Sequence, residues 1–140
     1  MDETAWEELD HPADIRLRIR GESLPKLLEN AARGLIASFL DPASVDERER
    51  FRLTVDGEDP ESLLVNWLEE VLFTFEVERF APCDARIEAI TESRVSGELL
   101  GEPFDPDRHA TRSEIKAVTW HDLEIEETDQ GFEVTIVFDV

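Results

Sequence analysis

Residues 13–39, ADIRLRIRGESLPKLLENAARGLIASF, determine the fold. Within them the spacing of the apolar residues changes from two, the period of a β-strand, to about 3.6, the period of an α-helix. Over Ala13–Arg20, isoleucine and leucine alternate with charged residues, which is the pattern of a half-buried β-strand. Gly21 ends that strand, and the hydroxyl of Ser23 can cap a helix. Apolar residues then recur at three- and four-residue spacing, which predicts a helix over Ser23–Phe39.

A second amphipathic helix is predicted over Pro60–Val77. Asp59 can cap its N-terminus, and Pro60 suits the first helical position because a proline there loses no helical hydrogen bond. The apolar residues of this helix also recur at three- and four-residue spacing: Leu63, Leu64, Trp67, Leu68, Val71, Leu72 and Phe75. The remaining apolar patterns predict strands at Trp6–Leu9, Phe51–Val55, Arg86–Ile90, Arg94–Leu100, Glu114–Trp120, Leu123–Glu127 and Phe132–Val140.

Two helices among these strands predict an α+β fold in which both helices pack on one face of a mainly antiparallel sheet. The other face of the sheet is polar along several strands, so we expect it to be solvated or functional. The loop Gly101–Arg112 contains two prolines and is expected to be irregular. No repeat or linker divides the sequence, so we expect one domain over residues 1–140.

The net charge is the strongest compositional signal. Fourteen basic residues against 35 acidic ones give a net charge of −21, and only two of the basic residues are lysines, Lys26 and Lys116. The hydrophobic content of 41% argues against disorder, and the negative charge disfavours direct binding to nucleic acid. We interpret the composition as that of a folded protein from a high-salt cytoplasm, where screening weakens self-repulsion. An acidic face for a basic partner is the alternative.

Several classes of protein are disfavoured by what the sequence lacks. No apolar run approaches the roughly 20 residues of a membrane span, and no secretory leader opens the sequence. We therefore expect a cytoplasmic protein without a membrane partner. The single cysteine, Cys83, has no neighbouring histidine and is expected to be inert. The sequence has no Gly-x-Ser-x-Gly elbow, which would mark a nucleophilic serine, and no glycine-rich loop that would bind phosphate. It therefore indicates no catalytic residue.

Two carboxylates attract attention by their positions in the predicted strands. Asp14 lies near the start of one polar strand face, and Asp139 ends another, where Val140 follows it. If those two strands pair, the two side chains and the carboxylate of Val140 could converge on a hard cation such as Ca²⁺ or Mg²⁺. Composition alone favours the alternative of two exposed acids. Lys116 has a similarly plain alternative, which is a surface ion pair with Glu114.

Whole phrases of the sequence resemble one known family. HPADI at residues 11–15 is similar to the His-Thr-Ala-Asp start of the archease family, and LLVNWLEEVLF at residues 63–73 is similar to the family's second helix. Further similar segments are GEPFDP at 101–106 followed by His109, EIKAVTWH at 114–121, and VFDV at 137–140. They occur in order over nearly the whole chain, so the sequence is identified as a member of the archease family.

The resemblance implies an accessory protein and not an enzyme. Archeases assist the GTP-dependent RNA ligase that joins 2′,3′-cyclic phosphate or 3′-phosphate ends to 5′-hydroxyl ends in tRNA splicing, and they promote guanylylation of the ligase and its multiple turnover. The resemblance also implies a strand–helix–strand–strand core and a divalent cation, with Ca²⁺ favoured over Mg²⁺. The implied cation ligands are Asp14, Asp139 and Val140, and the residue implied to activate the ligase is Lys116.

The sequence departs from the family's pattern at two positions. Pro12 stands where threonine is usual, which removes a hydroxyl and a backbone donor beside the candidate cation site and puts its affinity in doubt. Trp120 stands where tyrosine is common, which is a milder change.

Two other functions remain open from the residues alone. One is a metal-dependent hydrolase with Asp14 and Asp139 as ligands and either His11 or His121 as the base. These two histidines are also the candidates for supporting the cation site of an activator. The other function is a general chaperone-like binding protein, which would need an exposed apolar patch.

Overall fold

The computed structural model of the chain describes residues 5–9 and 14–140. Its elements are, in chain order, β1 (Trp6–Leu9), β2 (Asp14–Gly21), α1 (Leu24–Phe39), a short 3-10 turn (Pro42–Ser44), β3 (Glu49–Asp56), α2 (Pro60–Glu76), β4 (Phe80–Ile90), β5 (Arg94–Pro103), β6 (Ala117–Thr119), β7 (Glu126–Thr128) and β8 (Gly131–Asp139). No helix of the described residues is long and apolar enough to cross a membrane.

Both predicted helices are confirmed, with their predicted caps. The Ser23 hydroxyl accepts the backbone N–H of Lys26 at 3.2 Å, which begins α1. At the start of α2, Asp59 and Ser62 form a reciprocal capping box, in which each side chain accepts a backbone N–H from the other residue. Val77 is the residue that follows α2, so the predicted helix bounds hold to within one residue.

The predicted α+β class is confirmed, and the strands are divided between two antiparallel sheets. The larger sheet has the order β1-β2-β8-β6, and β7 also pairs with β8; the smaller sheet has the order β3-β5-β4. The prediction was of one sheet, because an alternating pattern shows which side of a strand is buried and does not show which strand it pairs with. Each helix contacts both sheets: α1 packs on β2 and β4, and α2 packs on β3 and β6.

The two helices meet in the core through a buried tryptophan. Trp67 on α2 is fully buried, and its indole N–H donates to the backbone oxygen of Leu28 on α1 at 3.0 Å. This bond satisfies the only polar atom of a large side chain that is otherwise packed among apolar residues. The helix pair is therefore a fixed support for the sheets that carry the candidate site.

The strands in the second half of the chain differ in length from their predictions. β6 and β7 are shorter than the predicted segments Glu114–Trp120 and Leu123–Glu127, whereas β4 and β5 are longer, and β5 extends into the loop Gly101–Arg112 that was expected to be irregular. Ile115 is buried but lies outside any strand. The alternation at the start of the predicted segment Glu114–Trp120 therefore reflects the burial of Ile115 and not strand pairing. A register shift after Pro82 interrupts the alternation in β4, which explains why its first half escaped prediction.

Candidate cation and activation site

The pairing of β2 with β8 brings the two predicted cation ligands together. These strands form a continuous antiparallel ladder in which Asp14 lies directly opposite Asp139, at one end. Residues directly opposite each other in such a ladder project from the same face, with Cβ atoms about 4.5–5.5 Å apart. The condition on which the cation hypothesis depended, that these two strands pair, is therefore met.

The Asp14–Asp139 pair lies on the face of the larger sheet that points away from the core. On β2 the core-facing residues are Leu17 and Ile19, and on β8 they include Val134, each of which is buried. Since side chains alternate along a strand, Asp14 and Asp139 project from the opposite face. Asp14 is half-buried there and Asp139 is exposed, so the pair is accessible to an ion from solvent.

The two acids differ from the charged pairs elsewhere on this ladder. Towards its other end, Arg20 lies opposite Glu133, with 3.8 Å between Arg20 Nε and Glu133 Oε1, and Arg18 Nε lies 3.3 Å from Glu133 Oε2. Opposite charges in these positions are stabilising, whereas like charges directly opposite each other are destabilising. Asp14 and Asp139 thus form a like-charge pair at a position where a cation would relieve the repulsion.

The donor set around this pair suits a hard cation and is incomplete without main-chain oxygens or water. Arg16 Nε lies 3.8 Å from Asp14 Oδ1, so one guanidinium already offsets part of the negative charge. Among residues 5–9 and 14–140, no group of three or more His, Cys, Asp or Glu side chains could hold a metal ion. Within these residues Asp14 and Asp139 therefore offer two carboxylates, and a Ca²⁺ or Mg²⁺ ion bound between them would need further oxygen ligands, which the main chain and water can supply.

Lys116 is tied to the same end of β8 through its main chain. Its backbone N–H donates to the carbonyl oxygen of Asp139 at 2.7 Å, and the next residue, Ala117, is the cross-strand partner of Asp139. The Lys116 side chain is exposed. Among the described residues, one lysine forms a salt bridge, and it is Lys26, with Glu29. The alternative for Lys116, a surface ion pair with Glu114, is therefore not formed among them.

Of the two histidines proposed as supporting residues, the structure describes His121 and does not bring it to the site. His11 lies outside the described residues. His121 follows β6 on the side away from Asp139, because β6 runs from Ala117, opposite Asp139, to Thr119, opposite Val137. Its Nε2 lies 3.2 Å from Asp122 Oδ2, and its side chain is 60% exposed.

A buried polar cluster in the loop after β5 was missed by the sequence analysis. Glu102 and His109 are both buried, and His109 Nε2 lies 2.8 Å from Glu102 Oε2. The backbone N–H of Asp105 donates to His109 Nδ1 at 2.9 Å, so the ring proton is on Nε2 and is donated to the carboxylate. Glu102 also accepts from Arg108 at 3.0 Å and from the backbone N–H of Asp46 at 2.8 Å.

These donors stabilise the charged form of Glu102. The hydrogen bond from Arg108, and then those from the Asp46 backbone and His109, lower its pKa from the ordinary 4.5 to about 2, against the opposing effect of burial. Both ring nitrogens of His109 have partners, so the ring has no free nitrogen with which to act as a base. We therefore assign this Glu102 cluster the structural role of fixing the loop that leads from β5 towards Lys116.

The pH dependence of unfolding tests this assignment. A carboxyl group whose pKa is lowered by folding stabilises the folded state above its ordinary pKa, and the stabilisation is lost as the pH falls from about 4.5 towards about 2. We expect Glu102→Gln to lower the melting temperature near pH 7 and to lose less further stability than the wild type over that acidic interval. The exposed Glu92→Gln is the control and should follow the wild type. A Glu102→Gln profile parallel to the wild-type profile would contradict the assignment.

The free cysteine has no chemical signature of a reactive group. Cys83 is half-buried, and burial, followed by the charges of Glu47 and Asp84, raises the pKa of its thiol. A raised pKa lowers the thiolate fraction at neutral pH, which is the form that reacts. This agrees with the expectation of an inert residue.

Comparison with known proteins relates nearly the whole chain to one protein family. Residues 6–140 match the model of the Archease protein family (MTH1598/TM1083). Two curated relatives named "Protein archease" are one from Methanopyrus kandleri, 33% identical over 138 residues covering 96% of this chain and 99% of that protein, and one from Pyrococcus abyssi, 36% identical over 129 residues covering 90% and 91%.

Two solved structures share the fold. The solution structure of protein 1598 from Methanobacterium thermoautotrophicum has a TM-score of 0.83 at 27% identity and covers 99% of this chain and 100% of that one. The crystal structure of an archease from Thermotoga maritima, described as a possible chaperone, has a TM-score of 0.64 at 23% identity and covers 96% of each chain. At that identity the second likeness concerns the fold alone.

Proposed function

Because the chain belongs to the archease family, we propose that it is a cytoplasmic activator of the GTP-dependent RNA ligase that joins 3′-phosphate to 5′-hydroxyl ends in tRNA splicing and RNA repair. In this proposal the protein is not an enzyme: it promotes guanylylation of the ligase and its multiple turnover. The observation that carries the proposal is the meeting of Asp14, Asp139 and Lys116 at one end of β8, since these are the residues to which the family resemblance gives a role.

The carboxylates contribute by binding a divalent cation. Asp14 and Asp139 project from one sheet face, and with a main-chain oxygen of Val140 they would hold Ca²⁺ or, with lower preference, Mg²⁺. The cation supplies positive charge that cancels the repulsion between the two carboxylates. The end of β8 is then fixed, and because the Asp139 carbonyl accepts the N–H of Lys116, the start of β6 is fixed with it.

Lys116 contributes a positive charge on an exposed side chain, and its backbone is held in place by the bond to Asp139. We propose that its exposed ammonium enters the nucleotide site of the ligase and orders phosphate oxygens during guanylylation. A lysine in a chain of net charge −21 would otherwise be expected to pair with one of the 35 acidic side chains. Its backbone anchor and its exposed side chain both suit a contact with another molecule.

The net charge suits a protein partner and opposes direct contact with RNA. A ligase must present basic surface to hold RNA, and an acidic activator is attracted to such surface. The same charge would repel free RNA, so we propose no direct binding of nucleic acid by this chain.

A hydrolase is the second candidate, and neither His109 nor His121 is placed to act as its base. His121 lies away from the Asp14–Asp139 pair, and both ring nitrogens of His109 are occupied. The purified protein should therefore show no turnover of RNA or phosphoesters by itself. When added in trace amounts to the cognate ligase with GTP, it should raise the rate of guanylylation. Turnover by the isolated protein that is lost in Asp14→Ala would instead favour the hydrolase.

We further propose that the acidic composition adapts the protein to a cytoplasm of high salt. At low ionic strength the net charge of −21 destabilises the compact state by self-repulsion, and salt screens this repulsion. We expect the melting temperature to rise between about 0.1 and about 2 M KCl, since the screening length falls from about 10 Å to below about 3 Å over this range. A melting temperature that falls over the same interval would contradict the adaptation.

A further inference from the structure

Helix α2 carries an exposed stripe that the core does not use. Its exposed residues Glu69, Phe73 and Glu76, together with Val77 after the helix, occur at spacings of four, three and one, which places them on one side of the helix. We call these four residues the α2 stripe. Phe73 is 46% exposed and Val77 is 58% exposed. Single exposed apolar residues are ordinary, whereas Phe73 and Val77 are four residues apart and lie on adjacent turns of one helix face.

The surroundings of the α2 stripe are acidic. Between Glu58 and Glu78 the chain has seven acidic residues and no basic one. The next basic residue, Arg79, lies with its guanidinium 4.8 Å from the centre of the Phe104 ring. This contact is a cation–π interaction, which gives the Arg79 guanidinium an aromatic partner.

A second segment, which also carries an exposed aromatic residue, runs along α2. The backbone N–H of Ile125 donates to Glu61 at the start of α2, and Glu114 lies near enough to Glu76 at its end to raise the pKa of that carboxyl, after the larger effect of burial. The segment from Glu114 to Ile125 therefore runs antiparallel along α2. Trp120 lies within it and is 53% exposed.

We propose that the α2 stripe is a docking surface for a basic segment of the ligase that also presents an apolar side chain, a surface distinct from the Asp14–Asp139–Lys116 end of β8. The inference rests on the proposed function. Charge complementarity favours this occupant, because an RNA-binding enzyme has basic surface and the stripe has carboxylates beside its apolar residues. A second copy of this chain is disfavoured, since it would bring one acidic stripe against another.

The two surfaces make different contributions to activation. The stripe supplies affinity, in which the Phe73 and Val77 side chains are the apolar anchors and Glu69 and Glu76 contribute to the rate of association. The end of β8 supplies the charge that acts on the ligase. Loss of the stripe should consequently weaken binding to the ligase without changing the maximal activation. Loss of Lys116 should lower the maximal activation without changing the binding.

The experiment compares Phe73→Ala/Val77→Ala with Phe73→Leu/Val77→Ile, which keeps the stripe apolar. Binding to the purified ligase is measured by calorimetry, and guanylylation is titrated with activator. We expect the alanine pair to raise the dissociation constant and the half-activating concentration at least about tenfold, with unchanged maximal activation and melting temperature. The conservative pair should stay within about threefold of the wild type for both quantities.

Charge variants test the acidic part of the surface. Glu69→Gln/Glu76→Gln should slow association at low salt, whereas Glu92→Gln/Asp107→Asn, which removes two exposed acids elsewhere, should change it much less. An equal effect of the two pairs would overturn a role for the stripe's own charges and would attribute steering to net charge alone.

Failure of this inference and failure of the proposed function give different results. If the wild type binds the ligase without activating it, the proposed function is wrong, while weaker binding by the alanine pair still supports the docking surface. If the wild type activates and the alanine pair binds equally well, the docking surface is wrong. A wild-type dimer that the alanine pair dissociates, with unchanged ligase affinity, would assign the stripe to self-association and also overturn the proposal.

Discussion

Lys116→Ala is expected to lower the maximal rate of ligase guanylylation by about 100-fold at saturating activator, which is the size of effect seen when one group that stabilises a developing charge is removed. The melting temperature should change by no more than about 2 °C, because the Lys116 side chain is exposed and the bond to Asp139 is made by its backbone, which alanine retains. Single-turnover guanylylation with radiolabelled GTP measures the first quantity, and thermal unfolding measures the second.

The chain offers a matched control in its other lysine. Lys26 is also exposed and forms an ion pair with Glu29 at 3.2 Å, so Lys26→Ala removes the same charge at a site with no proposed contact. We expect it to activate like the wild type. Lys116→Arg keeps the charge and changes its shape, so partial activation by this variant indicates that charge alone is not sufficient. If Lys116→Ala activated the ligase as well as the wild type does, Lys116 would be a surface residue with no role in activation.

Calcium is expected to raise the melting temperature of the wild type by roughly 5–10 °C at about 100 times its dissociation constant. The physical reason is that the ion binds the folded state, in which Asp14 and Asp139 are opposite each other, and has no such site in the unfolded chain. Asp14→Ala, Asp139→Ala and deletion of Val140 should each remove most of this increment. Thermal unfolding at matched KCl concentration measures it, because salt competes for the carboxylates.

The increment with Ca²⁺, and not the melting temperature itself, is the quantity to compare between variants. Asp14→Ala also removes the partner of Arg16, and each substitution relieves the like-charge repulsion, so the metal-free melting temperatures will shift for other reasons. Asp129→Asn removes an exposed carboxylate before β8 and should leave the increment unchanged. A full increment in both Asp14→Ala and Asp139→Ala would show that the ion binds other acids.

Features with a local cause could be predicted from the sequence. The caps at Ser23 and Asp59 and the apolar spacing of both helices determine α1 and α2 over stretches of less than twenty residues, and the alternation in Ala13–Arg20 determines β2. The pairing of β2 with β8 joins residues more than a hundred positions apart, and nothing in either strand alone specifies the other. The cation hypothesis could therefore be stated only under the condition that these strands pair.

The Glu102 cluster shows why the rest could not be predicted. Glu102 lies at the end of β5, Arg108 and His109 lie in the loop after it, where no hydrophobic period exists, and the backbone N–H of Asp46 that binds Glu102 comes from 56 residues away. A buried carboxylate with donors from such distant segments is recognised only when the fold brings the partners together. The separation of the strands into two sheets escaped prediction for the same reason, since it depends on pairing between distant segments.

Multiple-turnover ligation tests the proposal that this chain activates the RNA ligase without acting on RNA itself. The cognate ligase is mixed with GTP and an excess of RNA ends that carry a 3′-phosphate and a 5′-hydroxyl, with the wild-type protein present at a small fraction of the ligase concentration. We expect each ligase to join many RNA molecules with the protein and about one without it, and we expect Lys116→Ala to behave like no addition. Equal yields of joined RNA with and without the wild-type protein would show that the protein is not an activator of the ligase.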